Sequence, residues 1–334
     1  GDALLIAGDL AIRKPDALRE CLGLFASFPG ERMFVAGNHD LWSPPSDPLT
    51  RYRTLLPSIA KECGFTCLDA TPVTLGATAD TGGTRSRTVT IGGEKTLPFM
   101  HFESATPNRP AIAMQIAAPR PADWSQLLIE TWGDALASPG AWAKACEEAG
   151  ADVVQVLLGL KDADGQEMNA DYAVSVVKEV VSATTLPVVA LGPGQAEIDN
   201  EIMVPIADAT KGERLAIGLC SESNYRTIVA AAIANEHVVV GRTPMDVNLA
   251  KQLNILMTDM GLPLDRIIMD PTTGALGSGI EYAYSVMERR RLAAHKGDAM
   301  TPLPLFVDPG FEAWKTKESK VGEGVPDTWG DWAD

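Results

Sequence analysis

The sequence predicts an α/β protein whose larger part is a parallel βα barrel of the TIM type. From residue 110 onward, seven short apolar runs rich in β-branched residues recur along the 334-residue chain. The segments between these runs are long enough for helices and carry apolar residues three and four positions apart. Alternating strand and helix patterns indicate parallel βα units, and no G-x-G-x-x-G follows the first run to indicate a dinucleotide-binding sheet. The seven runs are PAIAMQI, DVVQVLL, LPVVAL, RLAIGL, HVVVG, RIIMD and LPLFV.

Residues 1–74 are predicted to form a separate, smaller α/β segment in front of the barrel segment, residues 75–334. ALLIAGD and ERMFVAG are apolar enough for strands, and KPDALRECLGLFASF between them has the spacing of a helix. We expect these two strands to pair in a small parallel sheet of their own. Asp9 and Asn38 follow the two apolar runs, so the prediction places them side by side at the carboxyl ends of neighbouring strands.

The pattern GD followed by GNHD resembles the calcineurin-like metallophosphoesterases. That resemblance implies that Asp9 bridges two metal ions, that Asn38 binds the second ion, and that His39 stabilises the transition state. A two-metal site needs a full set of ligands on both ions. The family's upstream D-x-H and its closing G-H-x-H are absent from this sequence, where the three other histidines each stand alone. We therefore interpret Asp9 and Asn38 as vestigial ligands of an unoccupied site, and we disfavour phosphoesterase activity.

The composition excludes several classes of partner. With 44 acidic and 28 basic residues the net charge is −16, which repels nucleic acids and anionic membrane surfaces. No apolar run approaches the roughly 20 residues that cross a bilayer, and no charged-then-apolar leader opens the sequence, so we expect a cytoplasmic protein. The five cysteines are scattered and odd in number, which favours buried, inert thiols over disulfides or metal clusters.

Candidate binding residues lie in the loops that follow the predicted barrel strands, because TIM barrels function at the carboxyl ends of their strands. The loop MDPTTGALGSG is the most informative, since Asp270, Thr272 and Thr273 precede or accompany three glycines. Such a polar surface suits a flat ligand with many amide edges, although Asp270 could equally cap the loop or the next helix. The other candidates are Gln115 and Ile116 after the first strand, Gly192 and Gly194 after the third, Glu222 and Asn224 after the fourth, Thr243 to Asn248 with Asp246 after the fifth, and Asn254 on the following helix.

Several blocks of the barrel segment resemble the small (delta) subunit of the corrinoid iron-sulfur protein of the CO dehydrogenase/acetyl-CoA synthase system. They include LGATADTGGTRSRTVTIGG, GADVVQVLL, ESNYRTIVAAA and the long block from Thr243 to Asp298. The likeness runs from about Leu75 to Asp331, and the long block is highly specific.

That resemblance implies a barrel similar to those of pterin-dependent methyltransferases. It also implies a large (gamma) partner subunit that holds a cobalt corrinoid and an iron-sulfur cluster. In the Wood-Ljungdahl pathway, the complex takes a methyl group from a methylated tetrahydropterin through methyltetrahydrofolate methyltransferase and delivers it to acetyl-CoA synthase. The small subunit would cover the corrinoid as a non-catalytic lid and would bind no cofactor alone. The residues agree, because the sequence carries no Ser/His/Asp arrangement and no H-x-D-x-x-G with a cobalt-binding histidine.

Members of the resembled family continue beyond Trp329 into another helix, a last strand and its helix, whereas this sequence ends at Asp334. We therefore expect a barrel that lacks its last βα unit, with seven strands and a gap between the first and the seventh. The alternative function is a pterin-dependent methyltransferase that acts on its own. In that case Asp270, with Asn248 or Asn254, would pair with the amide edge of the pterin.

Overall fold

A computed structural model of the chain describes residues 3–7, 15–29, 31–35, 58–59, 62–63, 66–67, 71–94, 106–122, 124, 126–274, 279–295 and 298–310. The chain divides into two compact units. The first unit comprises Gly1–Thr71, Gly92–Arg109 and Met287–Pro302. The second comprises Pro72–Ile91, Pro110–Val286 and Leu303–Asp334.

The first unit contains a three-stranded parallel sheet in the order β1-β2-β3. The predicted pairing of ALLIAGD with ERMFVAG is confirmed, because β1 and β2 run parallel in register along their whole length. Helix α1 connects them, and its Leu18 and Leu22 lie four positions apart on one fully buried face. The elements are β1 (Ala3–Ala7), α1 (Pro15–Gly23), β2 (Glu31–Val35) and β3 (Thr66–Cys67).

Asp9, Asn38 and His39, the residues that suggested a metal site, lie outside the described residues. The metallophosphoesterase interpretation of this segment stays a prediction.

The second unit is built on a six-stranded parallel sheet whose strands pair in the order of the chain. A separate antiparallel hairpin, β4-β5, precedes it. The strands are β4 (Val73–Leu75), β5 (Val89–Ile91), β6 (Ala113–Ala118), β7 (Val153–Leu158), β8 (Val188–Leu191), β9 (Ala216–Cys220), β10 (Val238–Arg242) and β11 (Ile267–Asp270).

Helices follow the strands in alternation, as the sequence predicts. They are α2 (Gln126–Trp132), α3 (Pro139–Glu148), α4 (Ala170–Ala183), α5 (Ala196–Ala209), α6 (Tyr225–Asn235), α7 (Val247–Asp259) and α8 (Ile280–His295). Short 3-10 turns cover Ala79–Thr81, Gly133–Ala137 and Leu264–Arg266. Across the described part of the chain, every helix is too short or too polar to span a bilayer.

Local sequence determines where these helices begin. Ser138 accepts a hydrogen bond from the Ala141 N–H at 3.2 Å and is followed by Pro139, whose fixed φ suits the first helical turn of α3. Asn169 caps α4 in the same way, through the Tyr172 N–H at 3.0 Å. Side-chain caps of this kind satisfy amide groups that have no partner inside the helix.

The seventh predicted strand is reduced to a single bridge. Leu305 pairs with Met269 of β11 in parallel fashion. The Met269 N–H donates to Pro304 O at 2.9 Å, and the Phe306 N–H donates to Met269 O at 2.8 Å. This segment therefore lies beside β11, and the described strands do not close into a ring. The six predicted runs before it all form strands.

The two faces of the sheet carry different cores. On β7, the alternating side chains Val154, Val156 and Leu158 join a large cluster with the helices. Val153 and Leu157 point to the other face, where they pack with the hairpin in a smaller cluster. Burial on both faces explains why the sheet strands are almost uniformly apolar. Each fully buried valine or leucine contributes roughly 1.5–3 kcal/mol.

The β4-β5 hairpin is fastened to the amino-terminal end of this sheet by Arg85. Its Nε donates to Glu213 Oε2 at 2.9 Å, and its Nη1 donates to Thr184 O and Leu186 O at 2.7 and 3.1 Å. Nη2 donates to Val181 O at 2.6 Å. These partners precede β8 and β9, so the hairpin covers the end of the sheet opposite to the candidate site.

Two further polar residues serve the fold. His237 is fully buried, where its Nδ1 accepts from the Leu215 N–H at 3.1 Å and its Nε2 donates to Ala207 O at 2.9 Å. The predicted buried thiols are confirmed for Cys146 and Cys220, and burial raises their pKa values to about 11 and about 12.

Candidate functional site at the carboxyl ends of the strands

The loops after β8, β9, β10 and β11 meet at one edge of the sheet, because parallel strands in register end together. Backbone hydrogen bonds join neighbouring loops beyond the sheet. The Thr243 N–H donates to Asp270 O at 3.0 Å, and the Met245 N–H donates to Pro271 O at 3.0 Å. The loops that follow β10 and β11 therefore form one connected surface.

A partly buried ion pair lies at the base of this surface. Arg242 and Asp270 are the last residues of β10 and β11 and are direct neighbours across the sheet. Arg242 Nε lies 2.5 Å from Asp270 Oδ2, while Asp270 Oδ1 accepts from the Thr272 N–H at 2.8 Å. Burial raises the pKa of the Asp270 carboxyl, and Arg242 opposes that rise. Asp270 thus both holds its own loop and neutralises an arginine.

A second buried carboxyl, Asp199 on α5, belongs to the same edge and was not predicted. It is 1% exposed, and its Oδ1 accepts from the Gly194 N–H at 3.2 Å. A Cβ atom on Gly192 would lie 2.1 Å from that oxygen, so a larger residue there would require the Asp199 carboxyl to move. Burial raises the pKa of Asp199 to about 6, whereas the hydrogen bond from the Gly194 N–H and the charge of Arg242 act to lower it.

The sequence did contain a signal for Asp199. It occupies the apolar face of α5, at helical spacing from the buried Ile202, Met203 and Ile206. An acidic residue at an apolar position, five residues after a glycine turn, is the pattern that could have identified it.

Two predicted candidates are used to build the loops. Asn224 is buried, where its Oδ1 accepts from the Ser221 N–H at 2.7 Å and its Nδ2 donates to Leu219 O at 3.0 Å. Asp246 is the N-cap of α7, where its Oδ1 accepts from the Asn248 and Leu249 N–H groups at 2.7 and 3.1 Å. The structure therefore gives both side chains a clear role in the fold.

The remaining candidates do not share one environment. Asn248 is exposed in the first turn of α7, whereas Asn254 is fully buried further along the same helix. Thr272 Oγ1 donates to Thr243 O at 3.2 Å. Thr273 is 3% exposed, and its Oγ1 is buried without a hydrogen-bond partner in the described part of the chain.

The backbone of this surface is strained at two residues that are not glycine. Met245 has φ +39° and Thr272 has φ +61°, a region that costs of order 1–3 kcal/mol for such residues. Met245 is also 38% exposed. Leu160 after β7 and Leu249 on α7 are further exposed apolar side chains at the carboxyl ends. The edge therefore combines a buried polar base with exposed apolar groups.

A cavity of about 380 Å³ opens between the loop after β9 and helix α7. Its size is within the range of small-molecule sites. The strand-end loops contribute hydroxyl, carboxylate and guanidinium groups to its lining, and α7 contributes three leucines and the Gln252 amide. The lining residues are Ser221, Glu222, Ser223, Arg242, Thr243, Pro244, Leu249, Gln252, Leu253 and Leu256.

The edge carries hydrogen-bonding and apolar groups that a ligand could contact. Where the structure describes the chain, no three His, Cys, Asp or Glu side chains come together in a way that could hold a metal ion. Asp270 and Asp246, two of the acidic candidates, are already engaged by the fold. The groups that line the cavity include hydroxyls, an amide, apolar side chains, the exposed Glu222 and Arg242.

Comparison with known proteins covers most of the chain, including parts of both units. The family described as CO dehydrogenase/acetyl-CoA synthase delta subunit matches residues 72–325. Acetyl-CoA decarbonylase/synthase complex subunit delta of Archaeoglobus fulgidus is 37% identical over 267 residues, which cover 77% of this chain and 58% of that protein. Subunit delta 1 of Methanosarcina thermophila is 37% identical over 250 residues, 74% of this chain and 57% of that protein.

Subunit delta of Methanopyrus kandleri is 34% identical over 248 residues, which cover 74% of this chain and 61% of that protein. The chain therefore spans less than two thirds of the length of each of these relatives. The family match begins at residue 72, and none of these relatives is a metallophosphoesterase, so that resemblance has no support here.

Among solved structures, dihydropteroate synthase of Xanthomonas albilineans with 4-aminobenzoic acid has a TM-score of 0.40 and 17% identity, covering 55% of this chain and 68% of that one. A β-mannanase from Thermomonospora fusca has a TM-score of 0.38 and 10% identity, covering 59% and 67%. These scores are too low to bear on fold or function.

Proposed function

Because the chain belongs to the CO dehydrogenase/acetyl-CoA synthase delta subunit family, we propose that it is a non-catalytic subunit in corrinoid-dependent methyl transfer. Its partner would be the large (gamma) subunit of a corrinoid iron-sulfur protein. The complex would receive a methyl group from a methylated tetrahydropterin through methyltetrahydrofolate methyltransferase. It would then deliver the group to acetyl-CoA synthase in the cytoplasm, as a step of acetyl-CoA synthesis.

The observation that carries this proposal is the state of the polar residues at the carboxyl edge. Side-chain oxygens of Asp270, Asn224 and Asp246 accept hydrogen bonds from the chain's own backbone or from Arg242. What faces outward instead includes the exposed apolar side chains Met245 and Leu249. Exposed apolar groups around carboxyl and amide groups that are already hydrogen-bonded favour contact with a partner or a large cofactor over acid-base chemistry.

The residues of this edge fit a corrinoid, which is a broad macrocycle with apolar faces and carboxamide arms. Met245 and Leu249 offer apolar contacts for the ring, and the hydroxyl and amide groups of the cavity offer partners for the arms. The Thr243 Oγ1 is a buried polar atom still without a partner in the described part of the chain. When bound, the corrinoid supplies the cobalt that carries the methyl group, whereas this chain supplies orientation and exclusion of water. We expect no cofactor to be bound by this chain alone.

We also propose that the sheet is part of a TIM-type barrel that lacks its last βα unit. The strands pair in the order of the chain, and helices α3 to α7 pack in one cluster on one face of the sheet. Both features support a barrel over a doubly wound sheet. The gap would lie between β6 and the segment around Leu305.

Co-expression with a large corrinoid subunit tests the proposed function. Size exclusion should give a heterodimer that keeps corrinoid absorbance after dialysis, while the chain alone should carry none. If the folded chain elutes separately beside a folded, corrinoid-loaded partner, the proposal is wrong.

The alternative, a methyltransferase that binds a methylated pterin itself, is favoured by the buried carboxyls Asp199 and Asp270 at the strand ends. Titration of the isolated chain with methyltetrahydrofolate separates the two functions. A non-catalytic subunit gives no saturable binding, whereas saturable binding that is lost in Asp270→Asn would favour the enzyme.

A further inference from the structure

The cavity beside α7 has a rim of groups that both donate and accept hydrogen bonds. Ser221 Oγ and Ser223 Oγ lie 2.8 Å apart on the loop after β9. Gln252 faces them from α7 and contributes a carbonyl oxygen and an NH₂ group. A ligand that carries one donor and one acceptor side by side would match these groups, as a carboxamide does.

Thr243 shows that the polar wall is incompletely satisfied. It lines the cavity and is 6% exposed, and its Oγ1 has no hydrogen-bond partner among the residues that the structure describes. A buried hydroxyl without a partner is costly in a finished fold. A polar ligand group beside Thr243 would remove that cost.

The charges around the cavity favour a neutral group. Arg242 is neutralised by Asp270 at 2.5 Å and also lies within electrostatic range of Asp199. Glu222 adds an exposed carboxylate at the rim. A carboxylate or phosphate would therefore meet net negative charge, whereas an uncharged amide would meet only hydrogen-bonding groups.

Besides Gln252, helix α7 contributes apolar side chains that suit an aliphatic arm. Leu253 is 2% exposed and lies at the base of the cavity, while Leu249 is 38% exposed near its mouth. Leu256 extends the same side of α7. An arm of a few methylene groups could lie along these leucines while its polar end reaches the serines and Gln252.

Resting on the function proposed above, we propose that the cavity between the Ser221–Ser223 loop and helix α7 receives a peripheral carboxamide arm of the corrinoid. The residues that recognise the arm are Ser223, Gln252 and Thr243, and the three leucines hold its methylene groups. Binding of the arm in this pocket would fix the orientation of the macrocycle relative to this chain.

The test uses the complex with the large subunit and measures cobalamin binding by absorbance in equilibrium dialysis. Gln252→Leu and Ser223→Ala should each weaken binding about threefold to tenfold, which is the effect of losing one or two hydrogen bonds. Gln126→Leu, which changes an exposed glutamine on α2, is the matched control and should leave binding unchanged.

Cobalamin monocarboxylic acids, in which one peripheral amide is replaced by a carboxylate, sharpen the test. One isomer of the series should bind the parent complex at least tenfold more weakly. In the Gln252→Leu complex, this isomer should lose less affinity relative to cobalamin than it does in the parent complex. Glu222→Gln should partly restore its binding. This coupling would not arise if the variants merely disturbed folding.

The outcomes separate the two proposals. If the complex forms and holds cobalamin, but both variants and every monocarboxylic acid bind as the parent does, the arm assignment is wrong and the proposed function stands. If the variants instead abolish binding of methyltetrahydrofolate by this chain, the pocket recognises a pterin amide and the assignment to the corrinoid is overturned. If no complex forms at all, both proposals fail together.

Discussion

The two ends of the six-stranded sheet are built in opposite ways. At the amino-terminal end, Arg85 places its guanidinium nitrogens against Glu213 and three backbone carbonyl oxygens. At the carboxyl-terminal end, Thr243 and Thr273 bury hydroxyls that have no partner among the described residues. The cavity also lies at this end.

The difference teaches where stability and function are placed in this chain. A fully satisfied polar network fixes geometry, while buried hydroxyls without a hydrogen-bond partner mark positions that a ligand could complete. The four predictions below test this division, beginning with the end that we expect to matter most for stability.

The largest expected effect is at Arg85. Arg85→Met should lower the free energy of unfolding by about 3–5 kcal/mol, because it leaves Glu213 and several buried carbonyl groups without their donor. Urea denaturation followed by circular dichroism measures the loss. Arg87→Met is the control, since that side chain is about half exposed and its contacts should be worth less than about 1 kcal/mol. Equal effects of the two changes would contradict the closed amino-terminal end.

At the carboxyl end, Asp199 should make stability depend on pH. Its pKa is about 6 in the folded chain and 3.8 ordinarily, so the folded state binds the proton more tightly. Stability therefore falls as pH rises from about 4 to about 6, by about 2–3 kcal/mol in total. Asp199→Asn should match the parent near pH 4 and exceed it by that amount at pH 7.

Chemical denaturation at pH 4, 5, 6 and 7 provides the comparison. A difference between Asp199→Asn and the parent that stays constant across this range would show that burial does not control the carboxyl.

Replacing Gly192 should lower stability because of the same carboxyl. Gly192→Ala would bring a methyl group within 2.1 Å of Asp199 Oδ1, and such overpacking costs about 1–3 kcal/mol. Combining it with Asp199→Ala should recover most of the loss, which a double-mutant cycle in urea would measure. Gly23→Ala in α1, where a methyl group would meet nothing within 4 Å, is the control. Additive losses in the double variant would disprove the clash.

The smallest effects concern the hydroxyls without partners. Thr243→Val and Thr273→Val should be neutral or stabilise the chain by up to about 1 kcal/mol, because they remove a buried polar group that makes no hydrogen bond. Thr210→Val should instead destabilise it by about 1 kcal/mol, since Thr210 Oγ1 donates to Ile206 O at 2.7 Å. Thermal unfolding distinguishes these signs. Losses at Thr243 or Thr273 as large as that at Thr210 would mean that these hydroxyls are satisfied in solution.

The sequence was a good guide to the strands that are apolar throughout. DVVQVLL and HVVVG carry β-branched residues on both faces, and each forms a strand buried on both sides. LPLFV was harder to judge because Pro304 has no N–H to donate to a sheet, and only one bridge forms there. The first segment was predicted to end at residue 74, although Val73–Leu75 pairs with β5 in the second unit. Sequence patterns report apolar spacing but not which hairpin a short strand will join.

The site was partly visible in the sequence. Asp270 was identified by its place at a strand end, but its partner Arg242 was not, because a pair across two strands has no signature in the spacing of residues along one chain. Asn224 and Asp246 were chosen for their chemistry, and the structure uses both in loop and helix caps. A partnerless hydroxyl such as that of Thr243 depends on packing, which only coordinates reveal.

The Arg85 network also has a consequence for the order in which the chain can assemble during synthesis. Arg85 and Glu213 are separated by 128 positions, and the carbonyl groups that Arg85 binds lie about 100 positions beyond it. The hairpin emerges early, yet its fastening is complete only after β8 and the start of β9 have been made. Meanwhile each new strand can pair with the one just before it. The segment made first in this unit is therefore among the last to be secured.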